Sequence, residues 1–263
     1  MRMRTGFQGL MALLLAGVTG AVWGQPSADA LVELMKRARQ SDGFEMRMNV
    51  TVIEPDGRRK PPVKIFVIGQ MKSGQHRLLL RTTALELVGK RYVEAALTQR
   101  GEVQLIGYDN PRQEAGESMQ ADDRLYNTGL RAWDMFEPWW EWASQTAGSI
   151  RQIAERDCAE VKSRPPRGRS AVSEVVSCIN ADAQLALRTE LYDRHHGLLR
   201  SMQVEKMIRI DSGGMAAKKL VITEADRTVT EIEVYSGDEH YEIEPDTFAK
   251  TDAVVGNGRV KKK

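Results

Sequence analysis

The stretch FEMRMNVTVI, residues 44–53, alternates apolar and polar side chains. Phe44, Met46, Met48, Val50 and Val52 fall on one phase; Glu45, Arg47, Asn49 and Thr51 fall on the other. Only a strand sends successive side chains to opposite faces, so the segment reads as a strand with one dry face and one wet face, Arg47 on the wet one. The period returns along the chain. Glu54-Pro55-Asp56-Gly57 is a turn signal, and strands follow over 63–71 and 77–82 with Lys72-Ser73-Gly74 between them. Residues 86–97 and 102–108 continue the pattern less clearly. Strands resume after residue 149 as RDCAEVKS, SEVVSCIN, LALRTELYD, LLRSMQVEKMIRI, AKKLVITEA and TVTEIEVY. Turns are expected at Asp193–Gly197, Asp211–Gly214 and Ala225–Arg227.

This order excludes a parallel doubly wound sheet, because helices do not alternate with the strands. There is no internal repeat. The expected fold is mainly β with some α: a curved, incomplete antiparallel barrel of about eleven strands, since an open sheet of that size must curl. A curled sheet has a concave face, and apolar residues on it line a cavity. Met46, Met48, Val50, Leu187, Val204 and Ile208 are candidates for its wall, the flexible methionines suiting varied guests. One helix precedes the sheet, over residues 27–41. Ser27 or Asp29 caps it, Leu31, Leu34, Met35 and Ala38 form its apolar stripe, and Gly43 ends it.

The N-terminus opens with Arg2 and Arg4, then an apolar run from Leu10 to Val18, then the small-residue stretch TGAVWGQ. That is the layout of a cleaved export signal, and the apolar run is about half of the ~20 residues a membrane-spanning helix needs. Residues 1–24 therefore read as a signal peptide, cleaved after Gly24 or nearer Ala28, and the mature chain is expected in the periplasm. Residues 25–252 form one domain and 253–263 a flexible basic tail. Removing the leader takes two arginines and no acid, and the formal charge falls from +2 to 0. The remaining basic run, Lys261 to Lys263, reads as a solvated tail, so nucleic acid is not an expected partner. In an oxidising compartment Cys158 and Cys178 form a disulfide by default. The turn RPPRGR lies between them, so they could face each other across one hairpin; two unpaired buried thiols are the alternative.

LRAWDMFEPWWEWAS, residues 130–144, holds Trp133, Trp139, Trp140 and Trp142, all the tryptophans of the chain except Trp23. Two readings stand. The segment is a core helix filling the inside of the sheet, or it is a lid over the cavity in which Trp133, Phe136, Trp139 and Trp140 meet the ligand. Pro138 interrupts it, so it cannot be one stiff rod. On a continuous helix Leu130, Trp133, Phe136 and Trp140 share a face that Trp139 and Trp142 cannot both join, which leaves aromatic surface for solvent or a ligand. The polar stretch 109–124 before it reads as a mobile loop, so that 109–144 together make a hinged lid.

Catalytic signals are missing. There is no GxSxG, HExxH, P-loop or GxGxxG, and no nucleophile–base pairing. His195-His196 lies in a turn with no third metal ligand nearby; His76 and His240 are isolated, and Asp122-Asp123, Glu242 and Glu244 read as solvated carboxylates. No enzyme activity, cofactor or metal is expected.

The ADALVELMKRAR helix, GFEMRMNVTVIEPDG, RDCAEVKSRPP, the strand pair around Tyr192, Asp193 and Gly197, and the closing EIEPDTFAK follow one another in an order that resembles the LolA-like periplasmic carriers. The resemblance is to the branch named outer-membrane lipoprotein-sorting proteins, and it covers residues 28–252. It implies a LolA/LolB-like barrel with helices closing its mouth, lipoprotein acyl chains or another lipid as cargo, delivery toward the outer membrane, and an inner-membrane lipid exporter as partner. Arg77 and Arg81, flanking LLL in the third strand, resemble basic positions near the mouth and could meet a lipid head group; the alternative is solvated strand arginines. Two rival functions remain: a periplasmic sensor of the same fold that engages a membrane protein, and a hydrolase acting on lipid or glycan, which would need carboxylates or a triad converging in the cavity.

Overall fold

The computed structural model describes residues 26–72, 74–83, 90–98, 101–110, 112–113, 116–166 and 171–249. The expected signal peptide, the expected basic tail, part of the expected strand at 86–97 and residues 167–169 of the expected RPPRGR turn lie outside the described residues. None of the described helices is long and apolar enough to cross a membrane.

A helix, α1 (Ala28–Ala38), is followed by six strands: β1 (Ser41–Ile53), β2 (Val63–Lys72), β3 (Gln75–Thr82), β4 (Tyr92–Leu97), β5 (Val103–Tyr108) and β6 (Glu117–Met119). The aromatic segment comes next, with 3-10 turns at Leu125–Asn127 and Pro138–Glu141 around a short helix α2 (Ala132–Phe136). Seven strands close the chain: β7 (Ser144–Ile153), β8 (Arg156–Arg164), β9 (Glu174–Asn180), β10 (Leu185–Tyr192), β11 (Leu198–Arg209), β12 (Met215–Glu224) and β13 (Val229–Asp238). All thirteen join one antiparallel sheet, in the order β6-β5-β4-β3-β2-β1-β13-β12-β11-β10-β9-β8-β7. The expected open antiparallel sheet is borne out. Its two additional strands are β6, inside the stretch read as a mobile loop, and β7, which begins at Ser144. Both are edge strands, pairing on one side only and carrying little apolar alternation.

Connectivity follows from local turn chemistry. Asp193 Oδ1 accepts from the His195 and Gly197 amides, Ile210 N–H bonds Gly214 O, and Glu224 N–H bonds Thr228 O, so each expected hairpin closes where the turn residues lie. Ser27 Oγ caps α1 by accepting from Ala30 N–H, and the helix buries Leu31, Val32 and Met35. It ends at Arg39, before Gly43. Gly43 stands in β1, where a Cβ would lie 2.2 Å from the Tyr241 carbonyl, so the glycine serves close backbone approach rather than a helix stop.

The cysteines form the expected disulfide, Cys158–Cys178, with Cα atoms 5.2 Å apart. Glu160, not Cys158, pairs directly with Cys178 in the β8–β9 ladder, so the two cysteines are diagonal neighbours. The bridge packs with Leu187, Ile153 and Met207 in a small cluster separate from the main core.

The first strand sits in the middle of the sheet, beside the last. The chain therefore runs outward to one edge, β6, and re-enters at the opposite edge, β7. The aromatic segment is the connection between those two edges, and it crosses the inner face, where its side chains join the core of the strands.

Candidate functional site

The candidate site is the inner face of the sheet together with the segment that fills it. Period two turns Met48, Val50, Ile65, Val67, Leu78, Leu80, Val93, Val161, Val175, Met202 and Ile222 inward, and all are buried in one core. Against this wall the segment drives Leu130, Phe136, Trp139 and Trp140; the last three have no exposed surface, and Trp142 is almost as deep. Trp133 is partly buried and packs against Trp142 with ring centroids 6.0 Å apart; Trp139 and Trp140 meet edge-on at 6.1 Å.

The expectation that Trp139 and Trp142 cannot both join the buried face is corrected, while Trp133 keeps part of its surface exposed. It assumed one continuous helix. Glu137 ends α2 in the left-handed region (φ 46°), and Pro138 starts a 3-10 turn on a new axis. The change of axis turns Trp139 and Trp142 into the same interior as Phe136. The expected open hollow is corrected likewise: beneath the plug the aromatic side chains belong to the same core as the strands. The grooves of this surface lie at the rim, one of about 290 Å³ between α1 and Glu141 and one of about 770 Å³ between the start of β1 and residues 239–243.

Polar contacts hold the plug at both ends. Toward α1, Arg39 donates to the Phe136 carbonyl, and Arg39 and Lys36 pair with Glu141 at 3.4 and 3.2 Å. Gln145, at the start of β7, donates to the carbonyls of Trp139 and Trp142, 2.8 Å each. Glu137 accepts from the Trp140 indole at 3.1 Å, and burial raises its carboxyl above the usual range against the pull of Arg39. At the other end Arg131 forks onto Glu224 of β12, at 2.7 and 3.3 Å, and Arg200 of β11 reaches Asp134 at 2.8 Å and the Gly129 carbonyl at 2.9 Å. Asp134 also accepts from the Arg131 N–H, and its burial pushes the carboxyl up to about 7. Among the described residues, every backbone–backbone hydrogen bond from residue 120 to residue 142 has both partners within that stretch. The plug is thus attached by side chains and not by a β-ladder.

The remaining expected site residues divide. Met48 and Val50 lie in the wall, Met46 packs at its margin, and Val204 is buried. Leu187 does not join the wall; a bulge in β10 between Ala186 and Arg188 moves it off the inward phase, and it packs on the disulfide. Ile208 is exposed, because β11 runs on past the core and carries register shifts after Val204. Arg77 and Arg81 fall on the phase opposite the buried Leu78 and Leu80, so they face away from the interior. Arg77 lies 4.8 Å from the Phe248 ring and donates to Gln70 at 2.6 Å; Arg81 lies 4.0 Å from the Phe66 ring. Neither arginine therefore lines the inner face, where a head-group contact would meet an occupant of the wall. Sequence reasoning missed Arg131, Asp134, Arg200 and Glu224. The one signal was charge on the inward phase of an otherwise apolar strand pair. Among the described residues no His, Cys, Asp and Glu group could hold a metal.

An open, curled antiparallel sheet with helical elements across its concave face defines the class: the LolA-like fold. Three solved structures share it. A DUF1329 family protein from Desulfovibrio piger superposes with a TM-score of 0.73 at 13% identity, covering 86% of this chain and 97% of that one. An outer membrane lipoprotein-sorting protein domain from Vibrio parahaemolyticus gives 0.70 at 13% identity, with 84% and 96% covered. A LolA superfamily protein from Nitrosomonas europaea gives 0.65 at 14% identity, with 85% and 97% covered. No family model and no curated protein matches the sequence. At these identities the likeness bears out the expected LolA-like resemblance at the level of the fold.

Proposed function

We propose that this chain is a periplasmic carrier without catalytic activity, which receives lipoprotein acyl chains or another lipid on the inner face of its sheet and passes it toward the outer membrane. The observation that supports this reading is the mode of attachment of the plug. The largest apolar side chains of the domain cover an apolar wall, yet the segment bearing them bonds to the sheet only through side chains, and it can leave without breaking a ladder. A ~16-carbon chain represents on the order of 12 kcal/mol of transfer free energy at ~0.8 kcal/mol per CH₂, enough to compete with the plug for the same wall. Plug and lipid are then alternative occupants of one surface, and cargo release is the return of the plug.

Tryptophan emission tests this, because all four tryptophans of the described residues lie in or beside the plug. A fluorescent fatty acid should bind the mature protein and shift that emission, and Trp133→Ala with Trp140→Ala should weaken the response. Binding that left the indoles undisturbed would remove the plug from the mechanism. Mass spectrometry of lipids retained through native purification would identify the cargo.

A further inference from the structure

Among the described residues the inner face carries one directly paired couple of opposite charges across neighbouring strands, Arg200 of β11 and Glu224 of β12. Both are buried, and Arg200 Nη2 lies 3.9 Å from Glu224 Oε1. The next cross-strand pairs on the same phase are Met202 with Ile222 and Val204 with Leu220, so an apolar track runs away from the charged pair along the wall. Charge at one end and an apolar track behind it is the footprint of an amphiphile.

The plug reproduces the head of such a molecule. It brings a cation to Glu224, the forked Arg131, and an anion to Arg200, the Asp134 carboxylate. The fit is incomplete. Nε and Nη1 of Arg200 and Oδ1 of Asp134 are buried without a hydrogen-bond partner among the described residues. A buried guanidinium with two unpartnered nitrogens costs free energy that a group with more acceptor oxygens would recover. A phosphate has those oxygens and takes the guanidinium fork bidentately, and an ammonium beside it can serve Glu224 as Arg131 does.

We propose that Arg200 and Glu224 form a receptor for a zwitterionic lipid head, an ammonium and a phosphate joined by a short linker, and that Arg131 and Asp134 of the plug occupy this receptor when it is empty of cargo. This rests on the carrier reading above and narrows its cargo. An anionic head without the ammonium puts a second negative group beside Glu224 in a dry site, with Arg200 alone to offset both once Arg131 departs. A trimethylated ammonium has no N–H to give it. The receptor therefore selects the primary amine.

The test is titration of the mature protein with short-chain phosphatidylethanolamine, phosphatidylcholine and phosphatidylglycerol, followed by tryptophan emission. Phosphatidylethanolamine should bind at least about tenfold more tightly than the other two. Glu224→Gln should abolish that preference. Arg131→Gln with Asp134→Asn removes the internal competitor and leaves the receptor intact; it should tighten phosphatidylethanolamine binding, and it serves where Glu224→Gln does not fold. Equal binding of the three lipids, or a double variant no tighter than the parent chain, overturns the head-group assignment and leaves the carrier reading standing. Displacement of the plug by O-phosphoethanolamine alone supports the receptor and removes the need for an acyl chain. If no lipid of any head moves the indoles, both readings fail together.

Discussion

Thr230 illustrates how much of the plug's attachment hangs on single atoms. Its hydroxyl, fully buried on β13, accepts from the Gly129 N–H at 3.0 Å. Thr230→Val keeps the volume but leaves that amide without an acceptor, at a cost of about 1–3 kcal/mol. Urea denaturation should show the loss as a lower midpoint at unchanged slope, and an unchanged midpoint would mean that water replaces the hydroxyl. Gly43→Ala should be destabilising by a similar amount, about 1–3 kcal/mol of overpacking, since the new methyl meets the Tyr241 carbonyl at 2.2 Å. Breaking the Cys158–Cys178 bridge with serines releases a 20-residue separation in the unfolded chain and should cost roughly 3 kcal/mol, read from the same curves.

The plug as an element is built from residues that a free helix would not hold in this shape. Tyr126, Asn127 and Glu137 all have positive φ, near 50°, a conformation that only surrounding contacts stabilise in non-glycine residues. Two of its carboxyls titrate with docking. Burial raises both Asp134, to about 7, and Glu137. The charged groups around Asp134 are Arg131 and Glu137 of the plug and Arg200 and Glu224 of the sheet; Glu137 faces Arg39 of α1. A carboxyl whose docked pKa lies above its free value binds protons more tightly when docked. The docked state should accordingly be favoured as pH falls from about 8 to about 5, and loosened as pH rises through 7. Tryptophan emission and amide exchange of residues 130–142 should follow that direction, and Asp134→Asn with Glu137→Gln should flatten it. The opposite trend would assign control of the docking to the ion pairs rather than to burial. At the open edge, β7 carries a bulge between Ala147 and Ile150, and Ser149 bonds Glu160 across it, which blunts the edge against pairing with another chain.

At the scale of the whole molecule, the sheet and its contents obey different determinants. Strand identity was legible because period-two alternation and turn residues act within a few positions: Met46, Met48 and Val50 announce β1, and Asp193 with Gly197 announces the β10–β11 turn. The disulfide was legible for the same local reason, although its diagonal register was not. The edge strands β6 and β7 were not, because they pair on one side only and carry little apolar alternation. The site was legible in part. Trp133, Phe136, Trp139 and Trp140 stood out by type, but their common interior depends on the reversal at Glu137 and Pro138, and Arg131, Asp134, Arg200 and Glu224 meet only because β11, β12 and the plug converge from residues 66 and 93 positions apart. By itself the sequence determined which segments pleat, where they turn and which faces are apolar, since each of these is settled by neighbours along the chain. Whether the concave face is a hollow or a filled interior was decided by tertiary structure alone. That choice depends on how a connection between two distant sheet edges folds back, and the free energy of that contact is a sum over partners no local pattern brings together.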